Sequence, residues 1–222
     1  PSLLLQARAG YTEFRGSFDA WELDRDTQCQ DNACGPAGPV RDSSRVVEAQ
    51  TRTGDLLAGA DLTWYRAAHT FRTGVQGDAM RLRNALIRLE DVDERLFPYF
   101  DRQSRPVAVA LHAEDEWRVG DRLSARLGAR LLHVGGVGTA LMPRVGANLQ
   151  LTPVLSVSAG AGSYAQALRS MRNDESMVSS LIAYDLLEVQ PADAGLVRGT
   201  DYVIGISHAS ANTALRAEAY AK

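Results

Sequence analysis

Lysine is almost missing from this chain. Of 24 Lys+Arg in 222 residues, only Lys222 is a lysine; the rest are arginine. That bias points to a GC-rich genome rather than to a function. A positive surplus is missing too. The 24 cations face 27 Asp+Glu, for a net charge of −3, which argues against a nucleic-acid module and against nucleic acid as a partner. Long apolar runs are absent: the longest, such as residues 107–111, fall far short of the roughly 18 residues of a membrane helix. An α-helical membrane protein is therefore excluded. A β-type one is not, because only alternate residues of its strands need be apolar. Apolar residues make up 45% of the chain, which excludes global disorder. No signal peptide opens the chain: Pro1-Ser2 runs straight into Leu3-Leu4-Leu5-Gln6. The last residues, Ala221-Lys222, fall inside a strand-like pattern. Both ends lead to the expectation of a fragment of a longer chain.

Cysteine is scarce as well. Cys29 and Cys34 share a polar, turn-rich stretch, residues 27–36. A close pair in a polar loop suits a disulfide and an oxidising compartment; two free thiols are the alternative. No His lies near them, and His69, His112, His133 and His208 form no i, i+4 pair, so no metal set is read. Residues 135–140 (Gly-Gly-Val-Gly-Thr-Ala) lack the Gly-Lys-Ser/Thr ending of a phosphate loop and read as a flexible external loop. There is no Gly-x-Ser-x-Gly elbow. No catalytic, cofactor-binding or metal-binding residue is assigned.

What the chain does have is period two, many times over. Leu123, Ala125, Leu127, Ala129 and Leu131 alternate with Ser124, Arg126, Gly128 and Arg130. Val145, Ala147, Leu149 and Leu151 alternate with Arg144, Gly146, Asn148 and Gln150. Leu155 to Ala161 alternate with serines and glycines, and the same pattern recurs from Leu3, Leu56, Phe71, Val107, Tyr202 and Leu215. This is strand alternation, with one face apolar and one polar. It yields about nine strands of about ten residues, the length of a tilted membrane strand. Short turns are expected at residues 66–69, 119–122, 152–154 and 208–212. Long polar connections are expected at 16–44, 83–105, 133–142 and 167–199. Short on one side and long on the other is the habit of outer-membrane barrels. Residues 82–96 read as a short helix or a strand extension, and 170–187 carry a helix-like hint.

The two faces differ in kind. The apolar one is rich in Ala, Leu and Val, with Tyr11, Trp64, Phe71, Trp117 and Tyr202 near strand ends, where rings favour a membrane interface. The polar one carries the candidate lumen-facing residues Arg8, Asp61, Arg72, His112, Glu114, Arg126, Arg130, Arg144, Arg216 and Glu218. Such a face suits a wide, wet lumen rather than a packed interior. Arg126, Arg130 and Arg144 fall on adjacent strands. They either attract an anionic ligand or pair with acids of a domain held inside the barrel, and the second reading is preferred.

Three stretches resemble one family. Residues 111–130 (LHAEDEWRVGDRLSARLGAR) are similar to a strand–turn–strand of TonB-dependent outer-membrane receptors, and residues 142–153 (MPRVGANLQLTP) resemble a strand that follows it there. Residues 201–206 and 215–220 (DYVIGI, LRAEAY) resemble a later pair. Leu131 stands where the family usually has Tyr. The resemblance implies an all-β fold: an antiparallel, up-and-down transmembrane β-barrel segment, about nine strands of a barrel of about twenty-two, as one domain over residues 1–222. It implies a place in the outer membrane. The partners it implies are a plug domain and the TonB complex, both through parts not in this chain, outer-membrane lipid and an unknown nutrient ligand. The implied function is energised uptake of a scarce nutrient, a ferric siderophore or similar large ligand, with no reaction and no cofactor. A porin-like passive channel, a barrel-borne hydrolase and a structural or secretion-linked barrel are the alternatives.

Overall fold

A computed structural model describes residues 2–25, 41–90, 95–170 and 187–222. Among the described residues twelve strands run in chain order: β1 Ser2–Arg25, β2 Arg41–Arg66, β3 His69–Glu90, β4 Arg95–Ser104, β5 Val107–Val119, β6 Leu123–Val134, β7 Gly138–Thr152, β8 Leu155–Gln166, β9 Leu168–Ser170, β10 Leu187–Val189, β11 Val197–Ala209 and β12 Ala214–Ala221. No helix occurs among the described residues. Nine strands form one antiparallel path, β1-β2-β3-β5-β6-β7-β8-β11-β12. β4 pairs with the upper part of β3, and β9 pairs with β10 apart from the main sheet.

Register carries the alternation from strand to strand. One row across the sheet reads Gln6, Asp61, Gly74, His112, Arg130, Met142; the next, on the other face, reads Leu5, Leu62, Thr73, Ala113, Ala129, Pro143. A slip of one residue anywhere would turn a strand's charges into its apolar face. The sheet has little core of its own. Its buried apolar residues are mostly alanines, with Leu82, Val134 and Met142, and no large side chain is fully buried among the described residues. Leu5 is 70% exposed, Leu127 68% and Ile204 57%. A soluble sandwich would cover these side chains with a second layer. Here the apolar face is a single-layer surface, about ten residues tall. At ~3.3 Å per residue and a tilt of about 40°, it spans ~25 Å, the height of a membrane band.

The expected short turns are present. Ala67-Ala68 joins β2 to β3 with Ala67 at φ 49°, and two residues, Pro153 and Val154, join β7 to β8. The expected long connections differ from the reading. β1 and β2 stay paired to Arg25 and Arg41, so much of the stretch 16–44 is a tall ribbon rather than a loop. Residues 83–90 form the top of β3 and residues 95–104 form β4, which settles 82–90 as strand. The connection expected at 133–142 is a tight turn of residues 135–137. Val134 pairs with Gly138, Val137 donates to the Val134 carbonyl, and Gly136 takes φ 75°, a left-handed backbone that glycine adopts without strain. His133 accordingly sits in β6, its Nδ1 2.8 Å from Thr139 Oγ1, rather than opening a loop. Cys29 and Cys34, and the helix-like pattern in residues 171–186, lie outside the described residues.

A cation on the apolar face tests its environment. Leu127→Arg is expected to destabilise the intact barrel in vesicles by about 2–4 kcal/mol, read by denaturant unfolding. Ser124→Arg, on the polar face, is expected to cost far less. Equal costs would mean that the apolar face does not meet hydrocarbon.

Candidate functional site

All ten candidate residues lie on the polar face, because each falls in the row parity of the Gln6–Asp61–His112–Arg130 register. Among the described residues the sheet groups them into two ion-pair clusters, one isolated pair and two cations without an ion-pair partner. In the first cluster Arg8 Nη1 donates to Asp61 Oδ2 at 2.6 Å, and His112 Nε2 lies 3.3 Å from Asp61 Oδ1. The second is a lattice. Arg72 Nη1 reaches Glu114 Oε1 (3.1 Å) and Glu116 Oε2 (3.2 Å), while Arg126 reaches the same two carboxylates at 3.5 and 3.3 Å. Arg216 pairs with Glu218 at 2.5 Å along β12. These side chains are partly exposed, so each pair is worth only about 0.2–1 kcal/mol. Their effect is to neutralise charge and to fix side-chain direction rather than to hold the fold.

Glycine makes the first cluster fit. Gly74 lies between Asp61 and His112 in the row; a Cβ there would collide with Asp61 Oδ1, with His112 Cε1 at 2.6 Å and with the Ala60 carbonyl at 2.7 Å. Gly128 opens space next to Glu114 in the same way. Arg130 and Arg144 have no ion-pair partner among the described residues. With His112, Glu114 and Gly128 they line an open hollow on the polar face. They are its unneutralised cations.

A feature that sequence reading missed lies above this hollow. β10 belongs to the connection between β8 and β11, yet it rests against β3. Asn84 Nδ2 donates to the Leu187 carbonyl at 2.7 Å, and Thr51 Oγ1 donates to Asn84 Oδ1 at 2.7 Å. Thr51 and Asn84 are both buried, on the polar-face side of β2 and β3. Glu188 then binds Arg102 of β4 and Arg169 of β9. β8 and β3 are four strand steps apart in the sheet, ~19 Å along it. β9, which follows β8, and β10, which rests on β3, therefore bridge that distance on the polar-face side like a strap. Its partners are more than eighty residues apart in sequence, so no spacing rule could reveal it.

The family model described as TonB dependent receptor-like, beta-barrel matches residues 2–217. The chain belongs to that family. Solved structures of TonB-dependent receptors share its fold. The copper transporter OprC superposes with a TM-score of 0.62 at 14% identity, over 97% of this chain and 35% of that one. The ferric enterobactin receptor PfeA of Pseudomonas aeruginosa, in a G324V mutant, gives 0.60 at 16% identity, over 97% and 31%. The RagAB peptide importer in its closed-closed state gives 0.57 at 10% identity, over 98% and 28%. The chain spans about a third of the length of these receptors. No curated protein matches it. As a TonB-dependent receptor barrel segment it accounts for its own open edges: β1 and β12 each pair on one side only, as they must in part of a wider wall.

Two tests follow from the geometry. Gly74→Val is expected to part Asp61 from His112 and to destabilise the barrel by about 1–3 kcal/mol, measured by denaturant titration. Gly77→Val, where a Cβ meets nothing within 4 Å, serves as the comparison. The second concerns Glu188, which lies beyond the membrane band. Burial pushes its carboxyl up, but the Arg169 and Arg102 guanidiniums together outweigh this and hold it below the ordinary value of 4.5. A depressed carboxyl stabilises the folded strap above its unfolded pKa and loses that stability as pH falls through the depressed value. The Gln190 amide, which donates to the Ala167 carbonyl at 2.7 Å, is thus expected to keep its hydrogen-exchange protection down through about pH 4.5 and to lose it only below. Loss of protection above that pH would show that Glu188 is not the latch.

Proposed function

We propose that this chain is part of the wall of an outer-membrane receptor that imports a scarce nutrient, with its polar face lining the lumen. The observation that carries the reading is the pairing pattern of that face. Two clusters and one pair are internally neutralised, while Arg130 and Arg144 stand free beside one hollow. Family membership supports the location and the class of transport. The neighbours' names speak of copper, ferric enterobactin and peptides, each for its own protein. For this chain the ligand class we favour is a ferric siderophore or a similarly large chelate, captured at the mouth beneath the strap.

In this reading a plug domain fills the lumen and TonB drives its movement. Unpaired arginines on a lumen wall attract carboxylates over a distance longer than a hydrogen bond, because low-dielectric walls focus their field. A plug acid seated between Arg130 and Arg144 would gain charge-assisted bonds. The wall would supply no reaction and no electron or proton transfer, only shape and charge.

The test uses the intact barrel with its plug. Iron-restricted growth on a ferric siderophore is expected to need both the receptor and TonB. Growth that survives loss of TonB would point to a passive channel instead. Arg130→Gln/Arg144→Gln is expected to loosen the plug and so raise single-channel conductance in planar bilayers, with the barrel still folded. Unchanged conductance with weaker ligand binding would mean that these arginines hold the ligand rather than the plug.

A further inference from the structure

The apolar face carries one arrangement that import does not use. At the short-turn rim, Trp64, Phe71, His69 and Trp117 form a row of stacked rings across β2, β3 and β5. Trp64 and Phe71 are 5.5 Å apart at 29°, His69 and Phe71 5.4 Å at 7°, and His69 and Trp117 5.6 Å at 6°. Register puts all four on the apolar face, in two adjacent cross-strand rows: Trp64–Phe71–Asp115 and Arg66–His69–Trp117. Two charges accompany them. Asp115 Oδ2 lies 2.8 Å from His69 Nδ1, which sets the imidazole between its two neighbours. Arg66 lies over the Trp64 ring at 5.4 Å and has no carboxylate partner among the described residues.

Ordinary interface aromatics explain only part of this. An isolated ring at a headgroup level needs no ion pair beside it. Here an aspartate occupies a lipid-side position, which is cheap only near the interface, and it fixes a histidine inside a ring stack. Beside that stack stands a guanidinium shielded on one side by indole and open on the other. Apolar surface, a fixed level at the rim and an unpaired cation match a molecule with acyl chains and a phosphate joined at one point.

We propose that Arg66 and the Trp64–Phe71–His69–Trp117 row form a binding seat for a glycerophospholipid. The phosphate diester meets the Arg66 guanidinium, and the glycerol and first acyl carbons lie along the rings. His69 and Asp115 are positioning residues: they hold the row together and make no bond to the lipid. The seat rests on the membrane reading of the previous subsection.

The experiment uses the intact barrel that carries this chain, purified in detergent, delipidated and titrated with phosphatidylglycerol under native mass spectrometry. Wild-type barrel is expected to retain one lipid more tightly than the rest. Arg66→Gln is expected to weaken that retention about tenfold, the worth of one charge-assisted hydrogen bond. His69→Ala is expected to weaken it as well, by disordering the rings, with a change in tryptophan fluorescence that a distant loss of charge would not produce. Arg118→Gln, near the same rim on the polar face, is expected to leave retention unchanged. Diacylglycerol of the same chains is expected to bind weakly, and glycerophosphate without chains not to compete. Equal retention by wild type and Arg66→Gln, equal binding of diacylglycerol, or competition by glycerophosphate would each overturn the seat. Heat-dependent mobility in gel electrophoresis separates the two levels of failure. A folded barrel without a preferred lipid refutes only the seat, whereas a protein that stays soluble without detergent refutes the membrane reading and the seat together.

Discussion

A backbone amide at membrane depth has no water to bond, so it must find a carbonyl on the next strand. Along this chain that requirement is met by ladder after ladder, from β1 through β12, each antiparallel to the last. Everything else depends on it. The ladder fixes register, register fixes parity, and parity sends arginine and aspartate to one face and leucine and alanine to the other. The same requirement is unmet at the outer edges of β1 and β12, which is why nine strands make a wall and not a closed barrel. A soluble protein would answer an exposed apolar face by packing a second layer against it. This one leaves Leu127 and Ile204 open, an arrangement that is stable only against another apolar phase.

The parts of the chain within that band were legible from sequence, for the same reason. Between Leu123 and Ala161 a one-residue period error is impossible to miss, since each strand must present apolar residues to one side and Arg, Asn, Ser or Gly to the other. Outside the band that pressure ends. The tops of β1 and β2 lie above the band, so residues 16–25 can pair without alternating, and composition alone reads them as loop. The turn at residues 135–137 failed for the opposite reason. A run of glycines signals mobility to a sequence reading, yet three of these residues suffice for a reversal because Gly136 accepts φ 75°. At the candidate site, face membership was readable but partnership was not. Nothing in the spacing says that Arg72 and Arg126 will share Glu114 and Glu116, or that Arg130 will be left alone.

Height differences around the wall shape what the polar face can do. β1 to β4 rise well above the band, whereas β6 and β7 close early in a tight turn. The long-loop side therefore has a tall rim and a low one. The strap of β9 and β10 uses this asymmetry. It follows β8 and binds the tall ribbon through Asn84, Arg102 and Glu188. Among the described residues its hold on the wall is the Asn84–Leu187 hydrogen bond and the Arg102–Glu188 ion pair. Such contacts fix a position without making it costly to leave, since exposed ion pairs contribute about 0.2–1 kcal/mol each.

Charge on the two faces obeys different rules, and the contrast explains where function is placed. On the polar face a cation is cheap, so neutralisation is optional; that Arg8, Arg72, Arg126 and Arg216 are paired while Arg130 and Arg144 are not becomes informative. A free pair there is open to a partner that the described wall does not supply. On the apolar face a charge is tolerated only near a rim, so Asp115 and Arg66 are informative by their mere presence. Asp115 is bound to a histidine held between rings, and Arg66 is held against an indole. Among the described residues, Arg130 and Arg144 thus stand without an ion-pair partner inward at the hollow, and Arg66 outward at the rim. The first can act on something within the barrel, the second only on the lipid around it. One alternating sequence separates these two chemistries by no more than the parity of a residue number.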